Sequence, residues 1–324
     1  MPPNTQETDP ISKEAREFLR SLPPFEQRTQ PPLDGSVAAW RTLQDLVEDR
    51  TSPSCEQAKQ RYDPTITEQN AGPLRAIVVT PKVADEDRTP ALYLHGGGYT
   101  CYSAHSSLFA SIPLAAALNR PLISIDYPLA PQSAFSDTVS KTSAAIAELL
   151  KQFPAASLVG ESAGGGLALS AINSLPEGGL RPRCLVLISP WTDLGNSAES
   201  RRTMADSDPI LRYEPSLRVS AEAYAPNAFE DPDASPLFAE YDDTYPPTFI
   251  LCGSRDILLS DSLRLHEKLN VANAKSMLEV YNGMFHSFPI LAPDLPESHS
   301  AMRSIKAFLD HCDWPLQCAP RVYE

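Results

Sequence analysis

From residue 75 the chain alternates between short apolar runs and segments of helical length, and this rhythm constrains the fold more than any other feature. The runs are RAIVVTP, ALYLHGG, PLISIDYP, ASLVGES, CLVLISPW, PTFILCGS and SMLEVYNG. Between most of them lie segments such as SLFASIPLAAALN, SDTVSKTSAAIAELLKQF, GGGLALSAINSL and LSDSLRLHEKLN. β-rich runs alternating with helices predict α/β units around a mostly parallel sheet flanked by helices. The runs are continuously apolar, as strands buried on both faces must be. The stretch SHSAMRSIKAFLDHC closes the chain as an amphipathic helix. With 324 residues, 42% of them hydrophobic, one substantial core can be built.

Two regions break the rhythm. The first ~70 residues contain no convincing strand. ISKEAREFLRSLP and SVAAWRTLQDLVEDR have helical spacing, with Leu19 and Leu22, and with Trp40, Leu43, Leu46 and Val47, as apolar stripes. Pro23, Pro24, Pro31 and Pro32 separate them. The second region, about 193–246, is polar and proline-rich, with one helical stretch, PSLRVSAEAY. It is too long for an ordinary connection. It reads as an insertion that covers something, together with the helical N-terminus.

Several function classes are excluded or disfavoured. A net charge of −14 does not suit a binder of nucleic acid, whose phosphates need lysine and arginine stripes. No apolar run has the length of a membrane span, and MPPNTQETDP lacks the basic and apolar regions of a signal peptide. The expected location is the cytoplasm. Cys55, Cys101, Cys184, Cys252, Cys312 and Cys318 are scattered without a C-x-x-C pair, which fits free thiols better than a disulfide framework or zinc site. Whether Cys312 and Cys318 pair is open.

The chemistry concentrates in two glycine clusters. GESAGGG, residues 160–166, lies between the run ASLV and the helix-forming LALSAI. Gly160 and Gly164 flank Ser162 at two residues on either side, giving G-x-S-x-G at a strand-to-helix turn. Such a turn holds the serine in a strained conformation with its hydroxyl exposed. No lysine follows these glycines as a P-loop requires, and no G-x-G-x-x-G is present for a dinucleotide. Upstream, His95-Gly96-Gly97-Gly98 ends another run. Backbone N–H groups there, with that of Ala163, would bind an oxyanion.

An activated serine also needs a base and an orienting acid, in the order serine, acid, histidine. His95 and His105 precede the serine. His266 reads as a surface residue in mid-helix, and His299 and His311 fall on the last helix. His286, in YNGMFHSF, follows the last run in a loop. Asp256 in FILCGSRDILLSD stands just past a strand end, whereas Asp261 reads as an N-cap or a supporting residue of the next helix. Phe18, Phe25, Trp40, Tyr213 and Tyr224 either line a cleft or pack the covering helices, and both readings stay open. Trp191, after a strand end, is a candidate wall or core residue.

Together, HGGGY, DYPLAP, GESAGGG, SPWTDL, GSRDILLSDS and GMFHSF resemble the landmarks of the hormone-sensitive-lipase-like family of α/β-hydrolase carboxylesterases, in family order. The resemblance covers about residues 75–310. It implies a single α/β-hydrolase domain over 1–324, with a cap formed by 1–50 and about 195–235. It implies Ser162, Asp256 and His286 as the triad and Gly97, Gly98 and Ala163 as oxyanion donors. It further implies a small-molecule ester or lactone as substrate, no metal or organic cofactor, and a homodimer as an unsurprising assembly. Within the family, the stretches PPTFILCGSRDILLSDSLRLHEKL and EVYNGMFHSFPILAP look most like the branch that includes monoterpene ε-lactone hydrolases. The arginine and glutamate usual in the DYPLAPQ stretch are replaced by Pro128 and Gln132, so a charge pair near the wall is expected to be missing. Glu161 stands where aspartate is commoner and is read as supporting the site from behind.

Overall fold

The alternating runs become neighbouring strands of one sheet because each presents apolar side chains to both faces. The computed structural model describes residues 11–32, 35–84, 89–312 and 321–323. In chain order the elements are α1 (Lys13–Ser21), α2 (Val37–Tyr62), β1 (Thr65–Ala71), β2 (Leu74–Thr80), β3 (Ala91–Leu94), α3 (Leu108–Leu118), β4 (Leu122–Ile125), α4 (Phe135–Gln152) and β5 (Ser157–Glu161). There follow α5 (Ala163–Asn173), β6 (Leu185–Ile188), α6 (Glu199–Thr203), α7 (Arg218–Tyr224), β7 (Thr248–Gly253), α8 (Leu259–Val271), β8 (Ser276–Tyr281), α9 (Phe288–Leu291), α10 (Pro296–His311) and β9 (Arg321–Tyr323).

The sheet order is β1-β2-β4-β3-β5-β6-β7-β8-β9, with β2 antiparallel to both β1 and β4 and every other pair parallel. Successive residues of a strand feed opposite layers. Leu92, Leu94, Leu158 and Ile250 join α4, α5 and α8 on one face. Tyr93, Val159, Phe249 and Leu251 join α3 and α10 on the other. Each such leucine or phenylalanine removed from water contributes roughly 1.5–3 kcal/mol. The chain leaves β3 for β4 on one side and returns to β5 on the other. Ligands of open α/β sheets bind at such a reversal, outside the strand carboxyl ends. His95-Gly96-Gly97-Gly98 and Ser162 follow β3 and β5, which pair directly, with Leu94 opposite Gly160.

Two departures from the sequence reading have simple causes. β1 was not expected, because TITEQNA is polar; it is an edge strand, largely exposed and held by antiparallel pairing to β2. Helix α2 runs past Arg50 to Tyr62 and through Pro53, because the small residues Cys55 and Ala58 continue the buried stripe of Trp40 and Leu43. Ser36 caps its start, accepting from Ala39 N at 3.2 Å. Among the described residues no helix is long and apolar enough to cross a membrane. Among the described residues Cys55, Cys101, Cys184 and Cys252 are free thiols. Cys318 and the first ten residues of the expected cap lie outside the described residues.

Candidate active site

The serine turn is built by close approach. A Cβ on Gly160 would lie 2.5 Å from the Gly164 carbonyl oxygen, and one on Gly164 only 2.1 Å from that of Leu94, so neither position admits a side chain. Between them Ser162 adopts φ 53 and ψ −119, strained for any residue but glycine. The strain is held from both sides: Ser162 N donates to Ile188 O at 2.9 Å, and Trp191 N donates to Ser162 O at 3.0 Å.

Loops after β7 and β8 bring the other two residues to this turn. His286 Nε2 lies 2.9 Å from Ser162 Oγ, and His286 Nδ1 lies 3.1 Å from each Asp256 carboxylate oxygen. All three side chains are buried. Arg255 N donates to Met284 O at 2.9 Å, which ties the acid loop to the histidine loop. Ser287 N donates to Ser189 Oγ at 3.0 Å, and Phe285 stacks on Phe18 of α1 with ring centroids 5.3 Å apart. Burial opposes a charge on His286, but the charge and hydrogen bond of Asp256, with Asp208 and Glu161 behind it, prevail and raise its pKa to about 9.

The glycine loop after β3 faces the same point. Gly97 and Gly98 have φ 102 and 63, so the chain turns there as only glycine does without strain. Among the described residues neither N–H has a protein acceptor, and Ala163, the first residue of α5, has no preceding turn to donate to. The loop is pinned from behind. Gly96 N donates to Glu161 Oε2 at 2.7 Å, and Tyr127 OH donates to His95 O at 2.8 Å. A cavity of about 620 Å³ opens over Ser162 and His286, lined by Gly97, Gly98, residues of 23–31, residues of α2, and Ile210, Leu211 and Leu217.

Residues 91–290 match the family described as having the alpha/beta hydrolase fold. The chain belongs to that family. An esterase of Acinetobacter venetianus is 32% identical over 229 residues, covering 68% of this chain and 74% of the relative. An acetyl-hydrolase of Streptomyces hygroscopicus is 34% identical over 231 residues, covering 70% and 77%. The crystal structure of esterase E25 superposes with a TM-score of 0.86 over 95% of this chain and 97% of its own, at 22% identity, a likeness of fold. An esterase of the bacterial hormone-sensitive lipase family has a TM-score of 0.71 at 29% identity, over 81% of this chain and 97% of its own. The family resemblance read from the sequence agrees with these neighbours, and the α/β-hydrolase chain is a serine hydrolase.

Within this hydrolase the structure brings together all six residues expected at the site. It also supplies three the sequence reading passed over or placed only loosely. Glu161 holds Gly96, as described, and burial raises its pKa despite Ser287, His286 and Gly96 beside it. Ser287 Oγ stands 3.2 Å from His286 Nε2, a second hydroxyl within reach of the imidazole. Asp208, inside the long insertion, accepts from Ile210 N at 2.8 Å, Leu211 N at 3.2 Å and Ile257 N at 3.0 Å. One carboxylate thus joins the cavity wall to the acid loop. Its only sequence signal is an Asp-Pro pair, which marks a turn and nothing more.

Other readings are corrected. His266 is buried against β8, its Nδ1 2.7 Å from Ser276 Oγ, because its helix face meets the sheet. Of the two readings of Asp261 the supporting one holds: it lies in the first turn of α8 rather than at its N-cap, and its carboxylate accepts from Thr192 N and Asp193 N, both at 3.0 Å. Of the five aromatics considered, Phe25 lines the cavity. Tyr224 stacks on Tyr99 at 3.8 Å, while Trp40 and Tyr213 are buried in packing. Trp191 is a fully buried core residue donating to Asp193 O at 2.9 Å. At the altered DYPLAPQ stretch, Gln132 meets the Gln44 amide of α2 at 2.8 Å, a neutral tie between that helix and the body.

Proposed function

We propose that this chain hydrolyses short- to medium-chain carboxylic esters by two-step acyl transfer. Ser162 Oγ attacks the ester carbonyl while His286 Nε2 takes its proton. The oxyanion rests on the N–H groups of Gly97, Gly98 and Ala163. Collapse breaks the bond to the alcohol oxygen, which leaves with the proton from His286. Water, deprotonated by His286, then attacks the acyl-enzyme and releases the acid and Ser162. Asp256 holds the imidazole's orientation and stabilises its charged form. The observation that carries this reading is the line of contacts from Ser162 through His286 to Asp256, at 2.9 and 3.1 Å. The segments 11–50 and about 195–235 act as a cap and set the size of the acyl or alcohol group admitted. The route needs no metal or organic cofactor, since the named groups move every proton.

The test is a panel of p-nitrophenyl esters of increasing chain length beside several lactones, with Ser162→Ala as control. Turnover of linear esters, falling as the chain outgrows the cavity, supports the reading. Turnover of ε-lactones alone would replace it with the lactonase reading, the same chemistry with a tethered leaving group. Ser162→Ala retaining most of the turnover would refute both.

The charge around His286 gives a pH prediction. A general base works only when neutral, so raising its pKa moves the acid limb of kcat/KM upward, above the ordinary histidine value of 6.5. Asp208→Asn keeps an acceptor for Ile257 N but removes one of the anions that stabilise imidazolium. The acid limb should then shift to lower pH. A limb that stays in place would break the proposed electrostatic link.

A further inference from the structure

The cavity over Ser162 carries a charge asymmetry that ester hydrolysis does not require. Its lining residues include two arginines, the half-buried Arg28 from the segment between α1 and α2 and the exposed Arg50 from α2. The one carboxylate among its lining residues is Glu161, already committed to Gly96 N. Arg28 donates through Nε and Nη2 to Pro23 O at 3.0 and 2.9 Å, and Arg50 donates to the Thr29 hydroxyl. Among the described residues neither has a carboxylate within ion-pair distance. The two side chains therefore meet at residues 28–29, bonded to neutral oxygens alone.

A third arginine crowds them. Arg212 lies over the Phe25 ring at 5.2 Å and donates to the carbonyls of Asp208 and Leu211. Burial and the Arg212 charge lower the Arg28 pKa, while Asp208 and Glu26 act the other way from beyond ion-pair distance. The chain as a whole carries a net charge of −14, yet the lining residues of this cavity include two arginines and one carboxylate. Such groups are favourable when an anion joins them, and the planar arginine fork matches the two oxygens of a carboxylate. Phe25, Leu43, Val47, Leu211 and Leu217 give the remaining wall an apolar character, as a hydrocarbon spacer would need.

We propose that the preferred substrate of this site is an ester bearing a second, ionised carboxylate at the end away from its scissile carbonyl, held by Arg28 and Arg50. The inference rests on the ester-hydrolase reading above. The chemistry is that of a half-ester of a dicarboxylic acid: water is consumed, the ester C–O bond breaks, and a dicarboxylate, an alcohol and a proton are released.

Monoethyl adipate and ethyl hexanoate test it, since they differ chiefly in the distal charge. In low salt the wild type should favour the monoester in kcat/KM by about 10-fold or more, the scale of a charge-assisted contact. The preference should shrink in about 0.5 M NaCl, where the Debye length is a few ångströms. The ratio of the two kcat/KM values should fall by about 10-fold in the Arg28→Gln/Arg50→Gln double variant and be only partly kept by Arg28→Lys, which retains the charge but not the fork. Turnover of ethyl hexanoate with no preference for the monoester, or a ratio unchanged in the double variant, overturns the anion site and leaves the esterase reading intact. Binding to Ser162→Ala, measured by calorimetry, tests recognition without turnover. If the wild type hydrolyses neither ester, the esterase reading fails on its own. The anion site fails with it only if Ser162→Ala binds monoethyl adipate no more tightly than ethyl hexanoate.

Discussion

Replacing Ser162 by alanine is expected to lower kcat on an aryl ester by about 10⁶-fold, the loss seen when a triad that acts as one unit loses its nucleophile. His286→Ala should cost a similar amount. The double variant should be no worse than either, because the remaining residue has nothing left to activate. What survives, about 10³–10⁴ over water, would come from the oxyanion donors and from binding. Asp256→Asn should cost less, about 10⁴-fold, since it leaves the base in place but in the wrong tautomer. The structure makes the serine result sharper than usual. Ser287 Oγ is 3.2 Å from His286 Nε2, close to the 2.9 Å of Ser162 Oγ. Substantial activity in Ser162→Ala would therefore make Ser287 the nucleophile, and Ser287→Ala in that background would decide it. The expected outcome is the opposite. Ser162 alone combines the strained turn after β5 with the N–H of Ala163 as the next residue. A stopped-flow burst of p-nitrophenol should be present in the wild type, if deacylation is the slower step, and absent in Ser162→Ala.

The three residues proposed as a triad were legible because each sits where local chain geometry leaves a mark. Gly160 and Gly164 are required by contacts within a few ångströms, and Asp256 and His286 follow strand ends that their own apolar runs announce. The parallel sheet was legible for the same reason. What stayed hidden depends on approach between distant segments. Asp208 meets Ile257 across 49 positions, and no spacing rule links an aspartate in a proline-rich insertion to the loop after β7. Glu161 was placed behind the site, but its bond to Gly96 spans 65 positions and belongs to the pairing of β3 with β5. His266 looked like a surface residue because its helix is polar overall. Burial there follows from which face meets β8, and one histidine in a polar stretch does not reveal that. The two segments proposed as a cap were seen only as interruptions of a rhythm. Their wall residues, Arg28 and Arg50 included, became visible once the segment between α1 and α2 was laid across the strand ends.

The second large effect belongs to stability, at Asp261. The carboxylate is fully buried at the start of α8 and accepts from Thr192 N, Asp193 N and Arg201 Nη2, the last at 3.1 Å. Arg201 comes from α6 in the insertion and is itself buried, with its guanidinium also donating to the carbonyls of Asp193 and Gly195. Asp193 continues the network to Arg264 of α8 at 2.8 Å. Asp261→Ala would leave the buried Arg201 guanidinium with only the more distant Asp193 carboxylate, at 4.0 Å, and two backbone N–H groups without an acceptor. Breaking a buried pair in this way costs about 3–5 kcal/mol. Urea unfolding should report it as a lower midpoint at unchanged slope. Arg201→Met should cost a comparable amount. Taking both charges out of water was itself expensive, so the Arg201→Met/Asp261→Ala double variant should fall well short of the sum of its singles. Additive singles would mean that the two groups act independently, contrary to the geometry. The consequence reaches the site through the chain itself. Trp191, one residue before Thr192, donates its N–H to Ser162 O at 3.0 Å, so the loop that Asp261 anchors is the loop that braces the strained serine. A variant that loosens this anchor should lose kcat before it loses its fold. Measuring activity at urea concentrations below the unfolding transition would reveal that order.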